Sequence, residues 1–244
     1  MGFLVAGLIG AVTSSLLPVT QLIGKFLNVV YEQNEDIDED LDFDFLAIEE
    51  FETDSRWLEA IKQCLPDAYV EIEKKYLNEA QVLEPEHIVF MSFLSRARGV
   101  HEAIVNEIEF QNPHGTFPLI RVFTEIACTL FYAIQKNDFV GTLFGSDGTR
   151  SGIPKFVVIL DSVETSLPHS RAIYTQLSEY THFKGIGIFN NFNMAISHDK
   201  PQLLWTSRPR FRSDKDFKTA CALTKYLFRF TEIALEQYGN TYLH

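Results

Sequence analysis

A mainly α fold follows from three features of the chain. EHIVFMSFLSRARGVHEAIVNEIEF, after Pro85, repeats its apolar residues mostly at intervals of three and four, and DKDFKTACALTKYLFRFTEIALEQY near the C-terminus does the same. Between them, residues 119–134, LIRVFTEIACTLFYAI, are almost wholly apolar and lie within a second long helical segment. With 244 residues, 46% of them hydrophobic and 21 of them Phe, the chain can build one large domain and is not globally disordered.

The N-terminal segment MGFLVAGLIGAVTSSLLPVTQLIGKFLNVV carries no charge before Lys25. It lacks the basic n-region and the small-x-small cleavage site of a secretory signal, and its run from Phe3 to Val19, with Pro18 near the end, is at the short limit of a membrane span. Residues 1–31 are expected to form an apolar helix that either packs on the domain or a partner, or contacts a membrane through residues 3–30. Residues 32–54 are dense in Asp and Glu and read as a solvated linker, because like charges extend a chain. Within it DIDEDLDFD resembles a calcium loop, but Leu41 stands where that loop needs Gly.

Residues 55–244 are expected to form the helical domain. Thr53 or Asp54 can cap a helix through WLEAIKQCL, Pro66 stops it, and Asp67 can cap a second through AYVEIEKKYLNEA. Pro85 opens the long helix to Phe110; Asn112, Pro113, His114 and Gly115 break it; a second long helix runs from about Pro118 to Lys136. The two read as an antiparallel helical hairpin. GTLFGSDGTRSG is a turn-rich loop, and IPKFVVILDSVETS is a helix or a strand, with Pro154 and Asp161 favouring helix. Ile173, Leu177 and Tyr180 give HSRAIYTQLSEYTHF helical spacing. GIGIFNNFNMA and QLLWTSRPRF alternate around SHDKP and read as a small β-hairpin before the last helix, Ser213 to Tyr238, whose first turn Asp214 and Asp216 favour.

A formal charge of −12 excludes a generally basic surface that would steer the chain onto nucleic acid, and no DNA-binding motif is present. Cys64, Cys128 and Cys221, an odd number without C-x-x-C, read as buried thiols in a reducing cytoplasm, the alternative location being a membrane reached through the N-terminus. No motif calls for a metal or cofactor: a phosphate loop, H-E-x-x-H and G-x-S-x-G are all missing.

Arg121 and Glu125 stand out, four residues apart on the most apolar helix. Ile120, Val122, Phe123, Ile126, Ala127, Leu130 and Phe131 leave that helix little circumference for water, so the two charges are expected to be buried and paired with each other or with polar groups nearby. Ser178, Tyr180 and His182, in LSEYTHF, are the expected partners. Such a network either locks the helix packing or forms a catalytic or ligand-binding site.

The order of a long helix, R-x-x-x-E at Arg121 and Glu125, a Gly-rich break, Y-x-x-L-S-x-Y-x-H from Tyr174 to His182, a hairpin and a long last helix resembles an uncharacterised branch of the HEPN-like helical superfamily, over roughly residues 55–240. The resemblance implies an antiparallel helical bundle, a second copy of the chain as partner, and RNA as the target. Some members of that superfamily are metal-independent ribonucleases of toxin–antitoxin and phage-defence systems. Their activity is associated with R-x(4–6)-H, and Arg96 and His101 have that spacing, an Arg to stabilise phosphorane oxygens and a His to move protons. Ala97 follows the Arg where the family has a polar residue, and the motif lies on an early helix. Arg208, Arg210 and Arg212 around Phe211 form one compact basic-aromatic cluster that could hold RNA phosphates and stack a base.

Two functions follow. The first is a defence or toxin–antitoxin accessory or effector acting on or near RNA, a ribonuclease using Arg96 and His101 or else Arg121, Glu125 and His182. The second is a non-enzymatic interaction module in which Arg121, Glu125, Tyr180 and His182 lock the bundle, tethered to a membrane in one variant through its N-terminus.

Overall fold

The computed structural model describes residues 43, 45–46, 54–63, 66–78, 83–144, 152–181, 192–197, 200–205 and 208–243, the strands by their backbone alone. The chain divides after Asp42, and all described residues belong to the unit Phe43–His244. The expected N-terminal helix, most of the acidic segment, Cys64, residues 145–151 of the turn-rich loop and His182 lie outside the described residues.

The unit is mainly helical. In chain order come α1 (Asp54–Gln63), α2 (Pro66–Leu77), α3 (Pro85–Glu109), α4 (Pro113–Gln135), α5 (Phe139–Phe144), α6 (Phe156–Val163), α7 (Ser170–Thr181), β1 (Phe192–Ser197), β2 (Lys200–Trp205) and α8 (Asp214–Tyr242). The backbones of β1 and β2 pair antiparallel, Phe192 opposite Trp205. Helix α4 is central: α3, α6, α7 and α8 pack on it, and α8 also covers α1, α2 and α3. By length and composition α4 could cross a membrane, yet 61% of its most apolar window is buried among its neighbours, which accounts for its apolar character.

The long helices start where sequence chemistry says they should, with differences at the prolines. Pro66 and Pro113 do not end helices; each opens one, where the missing N–H would have had no partner. Helix α4 therefore begins five residues before Pro118, which sits inside it and forfeits one bond near its N-terminus. The break between α3 and α4 shrinks to Phe110–Asn112, closed by Gln111 in the left-handed region at φ 56° and by the Asn112 N–H donating to the Glu107 carbonyl at 2.9 Å. So short a turn makes α3 and α4 antiparallel neighbours. Ser213 caps α8, its Oγ accepting from the Asp216 N–H at 3.1 Å, and the helix runs on to Tyr242.

Two loop readings change. Residues 141–144, at the front of the expected loop, belong to α5, with Phe139 buried as its anchor. The open helix-or-strand question at 153–166 resolves to α6. The acidic segment is not solvated throughout: Phe43 is 3% exposed, and the Phe45 ring stacks on His169 at 4.0 Å and lies 5.3 Å from Tyr226. Charge repulsion extends the backbone but does not stop an aromatic ring from gaining burial where the chain meets the bundle.

The core is aromatic, with Trp57, Tyr69, Phe90, Phe117, Phe123 and Tyr238 almost completely buried. Tyr76 ties α2 to α8. Its hydroxyl lies 2.6 Å from Glu236 Oε2 and 2.7 Å from Asn240 Oδ1, its ring is 5.6 Å from that of Phe90, and Lys75 pairs with Glu236 alongside. The pinned ring needs Gly239 beneath it, since a Cβ there would stand 2.6 Å from ring carbons. Gly239→Ala will destabilise the full chain by about 1–3 kcal/mol, the usual cost of overpacking, despite alanine's better helix propensity. Urea unfolding checks this, and unchanged or raised stability would sink it.

Candidate functional site

Helix α4 is less sealed than its sequence suggests. A stripe of half-exposed positions, Pro118, Arg121, Val122, Glu125 and Thr129, runs along it at intervals of three and four. Arg121 and Glu125 sit on this stripe at 26% and 35% side-chain exposure, with Nη2 3.2 Å from Oε1. The pairing expected from the i, i+4 spacing is made; full burial is not. An ion pair this open to water contributes little stability on its own.

The partner from α7 differs from those expected. Arg121 Nη2 donates to the Tyr174 hydroxyl at 2.6 Å, and the guanidinium carbon lies 4.8 Å from the Tyr174 ring centre. Phe156 of α6 backs that ring at 4.7 Å. Ser178 instead donates to its own helix at the Tyr174 carbonyl, 2.7 Å away, and the buried Tyr180 packs its ring 4.2 Å from Phe117. The sequence carried a signal for Tyr174, which stands four residues before Ser178 on the same helix face.

Glu125 also faces a cavity of about 650 Å³ between α3 and α4. From α3 come Ile88, Ser92, Phe93 and Arg96; from α4, Val122, Ile126 and Thr129. Phe139, Leu143 and Phe144 of α5, with Phe156 beyond, complete a wall that is mostly apolar. Ile88 and Phe144 are also among the exposed large hydrophobics, at 53% and 54%, so the cavity opens on an apolar rim. Sequence reading missed this groove because its walls come from helix faces spread over residues 88–156.

Arg96 is exposed and makes no hydrogen bond or ion pair among the described residues. His101, five residues on, lies about 140° round the helix. It is completely buried, between Phe123 at 5.5 Å and Phe228 at 4.9 Å, with the Tyr69 hydroxyl 3.2 Å from Nδ1. Nε2 is buried without a partner, and desolvation lowers the imidazole to about 4. The R-x(4)-H spacing therefore does not bring its two ends together: one opens on the groove, the other is a neutral core residue. Nearby, Arg98 pairs with Glu102 at 2.9 Å, as expected of an ordinary helix surface.

The basic cluster also divides. Arg208 and Arg210 are exposed and Arg212 is half-buried, but Phe211 is only 9% exposed. It is wedged between Phe117 at 5.9 Å and Phe217 at 5.6 Å. The ring expected to stack a base instead anchors the approach to α8, its apolar surface being worth more in the core than in water. Cys128 and Cys221 are buried, and burial pushes the Cys128 thiol up to about 12, so it is not a nucleophile. No three His, Cys, Asp or Glu side chains converge among the described residues.

Compared with known proteins, the chain matches no family model, no curated protein and no solved structure.

Proposed function

We propose that this chain is a HEPN-like helical binding module, with the paired strands before α8 as its hairpin and the α3–α4 groove as its binding surface. The observation that carries the reading is the groove itself. A cavity of about 650 Å³, with apolar walls and a few polar groups at one side, has the size and lining of a small-ligand site. The burial of His101 weighs in the same direction, because a ribonuclease would need that imidazole within reach of substrate. As an accessory protein of the defence or toxin–antitoxin kind, it would act by binding and not by cutting.

The test uses the full-length chain and the neutral apolar fluorophore N-phenyl-1-naphthylamine. Saturable one-to-one binding is expected, weakened at least tenfold by Val122→Trp, which fills the groove from a half-exposed position, with a melting temperature within about 3 °C of the parent. Binding that ignores Val122→Trp would refute the groove as the site. In parallel, a mixed RNA pool is incubated with the protein in EDTA. Cleavage abolished by folded Arg96→Ala or His101→Ala would restore the ribonuclease reading.

A further inference from the structure

The charges around the groove do not balance, and the imbalance says what fits there. Glu125 is answered by Arg121, whose guanidinium is also held by Tyr174. Of the two, Glu125 lines the cavity and Arg121 does not. Arg96 lines the same cavity and, among the described residues, is its one positive charge and has no partner. Ser92, one turn before it on the same face, also lines the cavity and offers a hydroxyl donor.

The charged groups of the groove, Arg96 and Glu125, stand toward one end, with Ser92 and Thr129 midway. Because α3 and α4 are antiparallel across a three-residue turn, Arg96 stands level with Glu125 and Ile126, equally far from that turn along each helix. Ile88, eight residues earlier, is about 12 Å further along α3. Phe139 walls that end: it shares a second, small cavity with Glu86, and its ring lies 6.3 Å from Phe93. A ligand that lies along this trough has an apolar body at the α5 end and one negative charge at the Arg96 end.

We infer that the groove binds a small amphipathic monoanion, a carboxylate headed by Arg96 with its apolar chain directed toward Ile88 and Phe139. This rests on the binding-module reading above. A planar guanidinium matches a carboxylate in shape and in charge. A dianionic phosphate head would bring a surplus charge beside Glu125, and among the described residues Arg96 is the one cation that lines the cavity.

The experiment measures displacement of N-phenyl-1-naphthylamine from the full-length chain by dodecanoate, dodecanol, dodecyl phosphate and dodecyltrimethylammonium, each below its micelle concentration. Dodecanoate is expected to bind at least tenfold tighter than dodecanol. Arg96→Gln is expected to remove that advantage while moving dodecanol affinity less than twofold, and Arg96→Lys to restore part of it. Equal affinity for dodecanoate and dodecanol, tighter binding of the cation, or tighter binding of dodecyl phosphate would each overturn the carboxylate assignment. So would sedimentation showing a dimer that excludes the probe until Phe144→Asp dissociates it, because the occupant would then be a second copy. If the neutral probe binds and the head-group comparison is flat, only this inference fails; if the probe does not bind at all, the binding-module reading fails with it.

Discussion

Phe123→Ala will cost the fold about 3–5 kcal/mol, the range for truncating a fully enclosed aromatic ring. Phe123 projects from α4 into the core with no exposed surface and lies 5.5 Å from the His101 ring, which in turn meets Phe228 of α8. Removing it takes away transfer free energy and leaves a void among three helices that cannot all close on it, since α4 is held on its other sides by α6 and α7. Guanidinium unfolding of the full chain is the measurement, with Phe110→Ala as its control. Phe110 is 79% exposed, and its truncation should change stability by less than about 0.5 kcal/mol. Equal effects at the two positions would contradict the placement of α4 at the centre.

Stability will also fall on mild acidification, with His101 as an identifiable cause. Its folded value of about 4 lies below the ordinary imidazole value of 6.5, because burial disfavours the charged ring. Between these values the unfolded chain binds a proton that the folded chain does not. The contribution is therefore present above pH 6.5 and is lost as pH falls from there toward 4. The shift corresponds to about 3 kcal/mol between pH 7 and pH 4. Carboxylates titrate in part of the same window, so the informative quantity is the difference between wild type and His101→Phe, whose ring keeps the aromatic packing and cannot take up a proton. That difference should change by about 3 kcal/mol over the window; parallel curves would show that His101 is not desolvated.

How much of this was legible beforehand differs from residue to residue. Along α3 the buried positions Phe90, Leu94, Ala97, His101, Ile104 and Ile108 step by three and four, so periodicity alone puts His101 inside and Arg96 outside. The R-x(4)-H spacing pointed elsewhere, because a motif counts residues without asking which face they occupy. The i, i+4 contact of Arg121 and Glu125 was readable for the same local reason that places His101. Their partial exposure was not, since it depends on which neighbours cover α4 and which leave a stripe of it open. The same holds for Phe211: an aromatic ring between two arginines looks like a stacking platform until Phe117 and Phe217 are seen to enclose it. The prolines misled for a different reason, in that Pro66 and Pro113 suit the first turn of a helix as well as they terminate the one before.

By itself the sequence determined that this is a mainly helical chain, with three long helices set by apolar spacing and with an Arg–Glu pair in register on the middle one. These are properties of single segments, and a 3.6-residue period is visible within a segment. Tertiary structure alone decided that Tyr174 holds Arg121, that Arg96 opens on an apolar trough, and that residues from 88 to 156 share its walls. Those facts depend on which helix faces meet and at what level, and the packing that settles them arises from the shapes of whole faces pressed together, which no local period records.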